Sequence, residues 1–475
     1  MTAIASPARA RRPHAEWFTP SAPPRSAIVL APRVFAHKRD VPPGRGYRLL
    51  VGSGIVLGLA FIGLALLDGQ LLRVVVPWMV ATNWSSGVLK GGTIWLSIGL
   101  SMLIVRTLLW FGYRPYRQVT PDCAPAMTVI IPAYNEGAMV EQSIESVALA
   151  RYPRGRLEII VVDDGSTDDT STHIHRAAAR HPGLVTALKL EHNQGKRAAL
   201  AAGFRAARGA IFVTIDSDSV IDADALLAIA GPFRDARIGA VAGKVAAYNR
   251  DQGLIARMLH VRYILSFDLQ RRVQSAYRTV YCCPGALAAY RASVVHEVLE
   301  PWLAQRFLGV PCTYGEDRAL TNAILERGFD TVYQGSAVVR TLVPNTYAAL
   351  CRMFLRWERS YVREEICFVR IVWKRPLVPM LFGVVERVLA NLSIPVGWVA
   401  IATLAAIVPS NPAILVRVLL ALGIGAAFSM LYYLYTERSL RFVHGILYTY
   451  FAFFTLWWIL PYAIITVRSR SWMTR

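Results

Sequence analysis

The chain has 475 residues, of which 54% are hydrophobic and 17% charged, with a formal net charge of +21. That length leaves room for two to four ordinary domains, the balance leans toward membrane proteins, and the positive charge calls for an anionic partner such as nucleic acid, lipid headgroups or nucleotide phosphates. The six cysteines (123, 282, 283, 312, 351 and 367) lack zinc-ligand spacing, and Cys282 and Cys283 are adjacent, so they read as reduced thiols on the cytosolic side.

Residues 1–48 carry nine Lys/Arg against two acids, with scattered prolines and no apolar periodicity. This predicts a disordered basic tail on the cytoplasmic face; no small-residue cleavage site follows a short apolar core, so it is not a signal peptide. Leu49 to Leu67 is an uncharged apolar run long enough to cross a bilayer, and residues 93–112 form a second span with Arg106 near its end. Arg114 and Arg117 then return the chain to the cytoplasm, making 49–112 two transmembrane helices. From 113 to 375 the pattern is that of a cytosolic α/β domain. Met127–Pro132, Leu157–Val162 and Ala210–Ile215 are short apolar strands, separated by helical stretches near 137–150, 166–180 and 195–208. The alternation predicts a mostly parallel, doubly wound sheet with helices on both faces. Residues 376–388, which include Glu386 and Arg387, read as an interfacial amphipathic helix. Residues 389–408 and 413–435 are two further spans joined by a turn at Pro409–Pro412, so 389–435 is again two transmembrane helices. In 442–467 a full crossing would put Arg468, Arg470 and Arg475 outside. Pro461 near the middle instead predicts a re-entrant pair of half-helices, so 436–475 is re-entrant and interfacial and both termini lie inside.

Three acid-bearing turns follow predicted strands: Tyr134-Asn135-Glu136, Asp163-Asp164-Gly165-Ser166, and Asp216-Ser217-Asp218. In an open α/β sheet ligands sit beyond the carboxyl ends of the strands, so these acids should line one crevice. A single such turn is explained by a helix cap and a turn glycine; three in succession favour a nucleotide site. Paired carboxylates such as Asp216 and Asp218 suit a hard divalent cation that in turn binds phosphates. Lys196 and Arg197 open a helix with no acids in its first turn, which suits a diphosphate as well as a solvated basic face. Glu316 and Asp317, in Gly315-Glu-Asp-Arg318, open another helix, where an acid serves as a cap or as a general base. Arg356-Trp357 lies on an amphipathic helix just before the membrane returns; the indole reads as an interfacial anchor or as a ring that stacks on a ligand, with Arg356 on phosphates.

These motifs, in this order, resemble the processive family 2 glycosyltransferases, and among them hyaluronan synthases and nodulation-type chito-oligosaccharide synthases. Tyr281-Cys-Cys283-Pro-Gly-Ala-Leu-Ala-Ala-Tyr290-Arg291 resembles their Cys-containing acceptor segment, and Ser471-Trp472-Met-Thr-Arg475 their terminal gating segment. The chain departs from the family at Met353, where Gln is usual, at Pro284, where Ser or Cys is, and at Met473, where Gly is common. The resemblance implies a GT-A-type cytosolic domain in the cell membrane, a UDP-sugar donor, a growing polysaccharide acceptor, Mg²⁺ or Mn²⁺, membrane lipids around the spans, and no nucleic acid. It implies Asp317 as catalytic base and Tyr134, Glu136, Asp163, Asp164, Lys196, Asp216 and Arg356 around the nucleotide sugar. It further implies Asp218 and Asp216 on the metal, Cys283, Glu316 and Trp357 on the acceptor, and Trp472 as a gate. The sugar is N-acetylglucosamine by resemblance, with glucuronate as a second substrate, and the product is a secreted β-linked polymer. The alternatives are a transferase that loads one sugar onto a lipid carrier phosphate and a membrane receptor for nucleotide sugars.

Overall fold

The structure is a computed structural model that describes residues 43–68 and 86–469. The basic tail expected at 1–48 and the segment bearing Trp472 therefore lie almost wholly or wholly outside the described residues.

Two apolar helices open the described chain, α1 (Arg45–Asp68) and α2 (Ser86–Gly112). The α/β domain follows with β1 (Met127–Ala133), α3 (Met139–Ala148), β2 (Leu157–Asp163), α4 (Thr170–Arg180) and β3 (Val185–Lys189). Next come α5 (Lys196–Ala206), β4 (Ile211–Thr214), β5 (Ser219–Ile221), α6 (Ala225–Ala230) and β6 (Ile238–Ala247). A helix α7 (Leu254–Tyr263) passes through a π-helical turn at Ile264–Leu269 into α8 (Gln270–Ala276), and β7 (Ala288–Arg291) and α9 (Ala292–Leu303) follow. A small ribbon of β8 (Arg306–Phe307) and β9 (Val310–Pro311) precedes α10 (Glu316–Glu326), β10 (Asp330–Thr341) and the long α11 (Tyr347–Ile371). Four apolar helices close the described chain: α12 (Leu377–Ile407), α13 (Ala413–Thr436), α14 (Phe442–Thr455) and α15 (Ile459–Ile465).

Eight strands form one sheet in the order β3-β2-β1-β4-β7-β6-β10-β5. Pairings β3–β2, β2–β1, β1–β4 and β6–β10 are parallel, while β7 runs antiparallel to both β4 and β6, and β5 antiparallel to β10. The sheet is thus mostly parallel, as expected. Its strands are continuous apolar runs because both faces are covered, and successive side chains point to opposite faces. Val129, Ile131, Ile159, Val161 and Val213 pack under α3 and α4 with Val140, Ile144, Val147 and Ile174. Their neighbours Ile130, Ile160, Val162 and Phe212 pack on the other face against Leu200 and Phe204 of α5 and Val294, Val298 and Trp302 of α9.

Four described helices are long and apolar enough to cross a membrane: Arg45–Leu67, Gly92–Gly112, Leu377–Ile407 and Ala413–Thr436. Where separate interfacial and spanning helices were expected at 376–388 and 389–408, the structure has one unbroken helix of 31 residues. The polar residue that argued for an interface is neutralised from elsewhere: Arg106 of α2 donates from Nε and Nη2 to the two carboxylate oxygens of Glu386 at 2.8 and 2.7 Å. The final apolar run is broken, as expected, with α14 and α15 bent by 49°. The break falls at Leu456–Trp458 rather than at Pro461. Pro461 sits in the first turn of α15, where the backbone N–H it lacks would have no intrahelical partner.

The membrane-type helices meet the sheet domain through a shared apolar cluster. Ile55 and Leu59 of α1, Trp110 of α2 and Tyr432 of α13 pack with Val273, Tyr277, Tyr281, Phe368 and Ile371. That cluster packs these helices against α8 and α11.

Candidate active site

Asp216 and Asp218 occupy the turn between β4 and β5, closed by the Ser219 N–H donating to the Asp216 carbonyl at 3.0 Å and braced by the Ser143 hydroxyl on the Ser217 carbonyl at 2.7 Å. Asp218 is buried, and its Oδ1 accepts from the hydroxyls of Ser219 at 3.1 Å and Thr341 at 3.0 Å. Asp216 is half-buried and forms an ion pair with Lys196, the first residue of α5; the same amine lies 3.3 Å from Glu316 Oε1. Residues 196, 216 and 316 therefore meet, although β4 and α10 are far apart in sequence. Against this ion pair stands Gly285: a Cβ there would come 2.8 Å from Lys196 Nζ and 3.3 Å from Asp216 Oδ1. A side chain at this position would push the end of Lys196 aside.

The loop ahead of Lys196 is held by Asp164. Its Oδ1 accepts from the Gln194 N–H and its Oδ2 from the Gly195 N–H, both at 2.8 Å. Each Asp164 oxygen thus holds one backbone donor, and the carboxylate shapes the loop ahead of Lys196. Asp163, aligned beside Ala133 in the β1–β2 pair, accepts from the Ser166 N–H at 2.8 Å through Oδ1, while its buried Oδ2 has no partner among the described residues. A buried carboxylate oxygen left unpaired is costly unless a ligand donor completes it. Tyr134 and Glu136 lie half-buried on the neighbouring loop, which Asn135 fixes by a left-handed backbone (φ 54°) and by accepting from the Thr167 N–H at 2.9 Å.

Glu316 and Asp317 start α10. Gly315 before them is left-handed at φ 73°, and a Cβ there would collide with Ser360 Oγ and lie 2.7 Å from Arg363 Nη2, so glycine lets α11 press against this turn. Burial raises the carboxyl of Asp317, and the adjacent Glu316 charge raises it further. Burial acts on Glu316 in the same sense, but Lys196, Arg356 and Arg197 outweigh it and hold that carboxyl below its ordinary range. Two adjacent acids are thus shifted in opposite directions, Glu316 down and Asp317 up.

Residues 128–299 match the glycosyl transferase family 2. An N-acetylglucosaminyltransferase of Azorhizobium caulinodans is 32% identical over 352 residues, 74% of this chain and 87% of that protein. The chain belongs to glycosyl transferase family 2. A hyaluronan synthase of Streptococcus pyogenes is 32% identical over 286 residues, covering 59% of this chain and 67% of that one. A mannosyltransferase from Pyrobaculum calidifontis, solved in complex with GDP-Man and Mn²⁺, aligns over 79% of this chain and 97% of its own, with a TM-score of 0.56 at 23% identity, and shares the GT-A-like fold.

In this glycosyltransferase the segment from Tyr281 to Arg291 turns Cys282, not Cys283, toward Asp317. Cys282 Sγ lies 3.4 Å from Asp317 Oδ2, whereas Cys283 is wholly buried in the core beneath α5 and α9, its N–H donating to Thr321 Oγ1 at 3.0 Å. Cys283, expected on the acceptor, faces the core and Cys282 faces Asp317, since adjacent residues of an extended segment face opposite ways. Trp357 stands in an aromatic group, its ring centroid 6.1 Å from Tyr263, 6.2 Å from Phe267 and 5.6 Å from Phe354. Met353 is buried in the core, 3.6 Å from the Tyr263 hydroxyl, so it fills space where the family's Gln would offer hydrogen bonds. Glu316, expected on the acceptor, is buried beside Lys196. Trp472 lies outside the described residues; before it, the Ser469 carbonyl accepts from the Tyr314 hydroxyl at 3.0 Å.

Among the described residues no group of three or more His, Cys, Asp or Glu side chains forms a metal cage. Asp218, with Oδ1 fixed by two hydroxyls, and the neighbouring Asp216 offer two carboxylates instead, which fits a hard cation that completes its shell with waters and substrate phosphates. Sequence patterning missed Cys282, Gly285, Ser219 and Thr341. Of these only Gly285 had a signal, a glycine between apolar residues in a motif otherwise built for close packing.

Proposed function

We propose that this glycosyltransferase is an inverting, membrane-integrated polymerase. It transfers a hexose, N-acetylglucosamine alone or alternating with glucuronate, from a UDP-sugar to the end of a growing polysaccharide. It would act at the cytosolic face of the cell membrane and pass the β-linked product through its own apolar helices. The names of the relatives from Azorhizobium and Streptococcus support the sugar assignment. The opposite shifts of the Glu316 and Asp317 carboxyls, which lie beside Lys196 and Cys282, carry the chemistry.

Asp163, with its unfilled Oδ2, and Tyr134 hold the base and ribose of the donor. Lys196 and Arg356 put positive charge where the diphosphate leaves, and that charge stabilises the transition state more than the bound donor. Mg²⁺ or Mn²⁺ bound by Asp218 and Asp216 would neutralise the same phosphates. Asp317 accepts the proton of the acceptor hydroxyl as that oxygen attacks the anomeric carbon, and Glu316 stays ionised to hold Lys196 in place. One displacement turns an α-linked donor into a β-linkage without a covalent enzyme intermediate. Trp357, Tyr263 and Phe267 offer ring faces to the acceptor.

Membranes containing the protein, incubated with radiolabelled UDP-sugars singly and in pairs, test this reading. A ladder or smear of labelled polymer is expected, and a single labelled lipid-linked sugar contradicts polymerisation. In liposomes, polymer released wholly on the UDP-sugar side contradicts export.

A further inference from the structure

The π-helical turn at Ile264–Leu269 brings Tyr263, Phe267 and Arg271 onto one side of the helix. A single-turn π segment re-aims the residues after it and is often found at functional sites. Here the Tyr263 and Phe267 rings lie 5.0 Å apart and both pack on Trp357, while the Arg271 guanidinium stands 5.6 Å from the Phe267 ring centre. Arg271 Nη1 donates to Gln274 Oε1 at 3.1 Å, and its Nε is buried with no partner.

The neighbouring arginines make the contrast plain. Arg272 forks onto Asp268 at 2.7 and 2.8 Å, and Arg278 pairs with Asp235 at 3.0 Å and Asp330 at 2.9 Å. Among the described residues no carboxylate lies within ion-pair distance of Arg271. Burial lowers the Arg271 guanidinium from its ordinary range, and the nearby Cys282, Cys283 and Asp317 act against that shift. Arg271 is half-buried, its guanidinium cannot shed its proton, and its buried Nε–H gains by finding an acceptor.

We propose that Arg271 belongs to the acceptor subsite: beside the Phe267–Trp357 wall, its guanidinium donates to a hydrogen-bond-accepting substituent, an acetamido carbonyl or a carboxylate, on the terminal acceptor sugar. This rests on the polymerase reading above. The planar fork suits either oxygen group, and the adjacent ring faces suit the apolar face of a sugar. Arg271 contacts the acceptor and leaves the diphosphate to Lys196 and Arg356.

The test uses purified full-length protein in lipid nanodiscs with a UDP-sugar that it turns over. UDP release is measured without acceptor, where water takes the sugar, and with added oligosaccharides ending in N-acetylglucosamine or in glucuronate. In Arg271→Ala the ratio of transfer to hydrolysis is expected to fall at least tenfold with one or both oligosaccharides, with the acceptor KM raised and Arg271→Lys recovering part of the loss. A loss confined to one oligosaccharide identifies the substituent. A ratio that stays at the wild-type value, whether both rates fall together or neither changes, overturns the proposal. Should the alanine variant not fold, as judged by UDP binding, the same ratio in Arg271→Lys decides, a twofold or greater drop supporting the contact and an unchanged ratio refuting it. Wild-type protein that releases UDP from no UDP-sugar contradicts the polymerase reading itself.

Discussion

Replacing Gly285 by alanine adds one methyl group where the site has least room. The new carbon would lie 2.8 Å from Lys196 Nζ and 3.3 Å from Asp216 Oδ1. Non-bonded heavy atoms settle at roughly 3.5 Å or more, so the amine must withdraw by about 0.7 Å or the segment must lift. A misplacement of about 1 Å in a catalytic constellation can cost roughly a hundredfold in rate. The expected fall in kcat is therefore about 10- to 100-fold, or roughly 1.4 to 2.7 kcal/mol. Stability should move little. Gly285 does not need the left-handed backbone region, and Gly→Ala at such a position gains about 0.4–1 kcal/mol from the unfolded chain, offsetting part of an overpacking cost of about 1–3 kcal/mol. UDP release against donor concentration, together with a melting curve, separates the two effects. Wild-type kcat in a folded variant would refute the claim that the Lys196–Asp216 pair works at the reacting phosphate, and so would a loss of rate fully matched by loss of folded protein.

Glu316→Gln removes the charge that helps hold Asp317 above its ordinary range. Since the base must be ionised and activity is lost as pH falls through its pKa, the acid limb of the kcat profile should move to lower pH; an unmoved limb in an active variant would separate the two acids. Asp164→Ala frees the Gln194 and Gly195 N–H groups, so the donor KM should rise about tenfold while binding of acceptor oligosaccharide is spared; donor and acceptor saturation curves check this. Arg106→Met strips the counter-charge from the buried Glu386, whose side chain is 9% exposed against 44% for Arg106. The loss should be about 2 kcal/mol, below the full cost of a wholly buried pair, and Arg106→Met with Glu386→Gln should recover most of it in detergent melting curves.

The sheet was readable from sequence because its strands are short continuous apolar runs. Ile130 and Ile131, or Phe212 and Val213, serve opposite faces of one buried sheet. The acids at strand ends were readable for the same reason, since the carboxyl edge is where such a sheet binds ligands. What stayed hidden depends on partners that leave no local pattern. Asp164 is occupied by two backbone N–H groups from a loop 30 and 31 residues away, and a backbone donor has no sequence signature. The choice between Cys282 and Cys283 turns on which way an extended segment faces, and that is set by the contact with Asp317. The break expected ahead of residue 389 does not occur because Glu386 meets Arg106, 280 positions earlier. Arg271 stood out in no motif; only the absence of an acid beside it marks it.

The account stands most directly on the division of labour between two aspartates, measured as Mn²⁺-dependent UDP binding and sugar transfer in Asp317→Asn and Asp218→Asn. Asp317→Asn should bind UDP with Mn²⁺ within about threefold of wild type yet lose at least a hundredfold in transfer, the scale of a missing general base. Asp218→Asn should lose the Mn²⁺ enhancement of UDP binding itself. Transfer retained by Asp317→Asn, or Mn²⁺-dependent UDP binding undiminished in Asp218→Asn, would contradict the account.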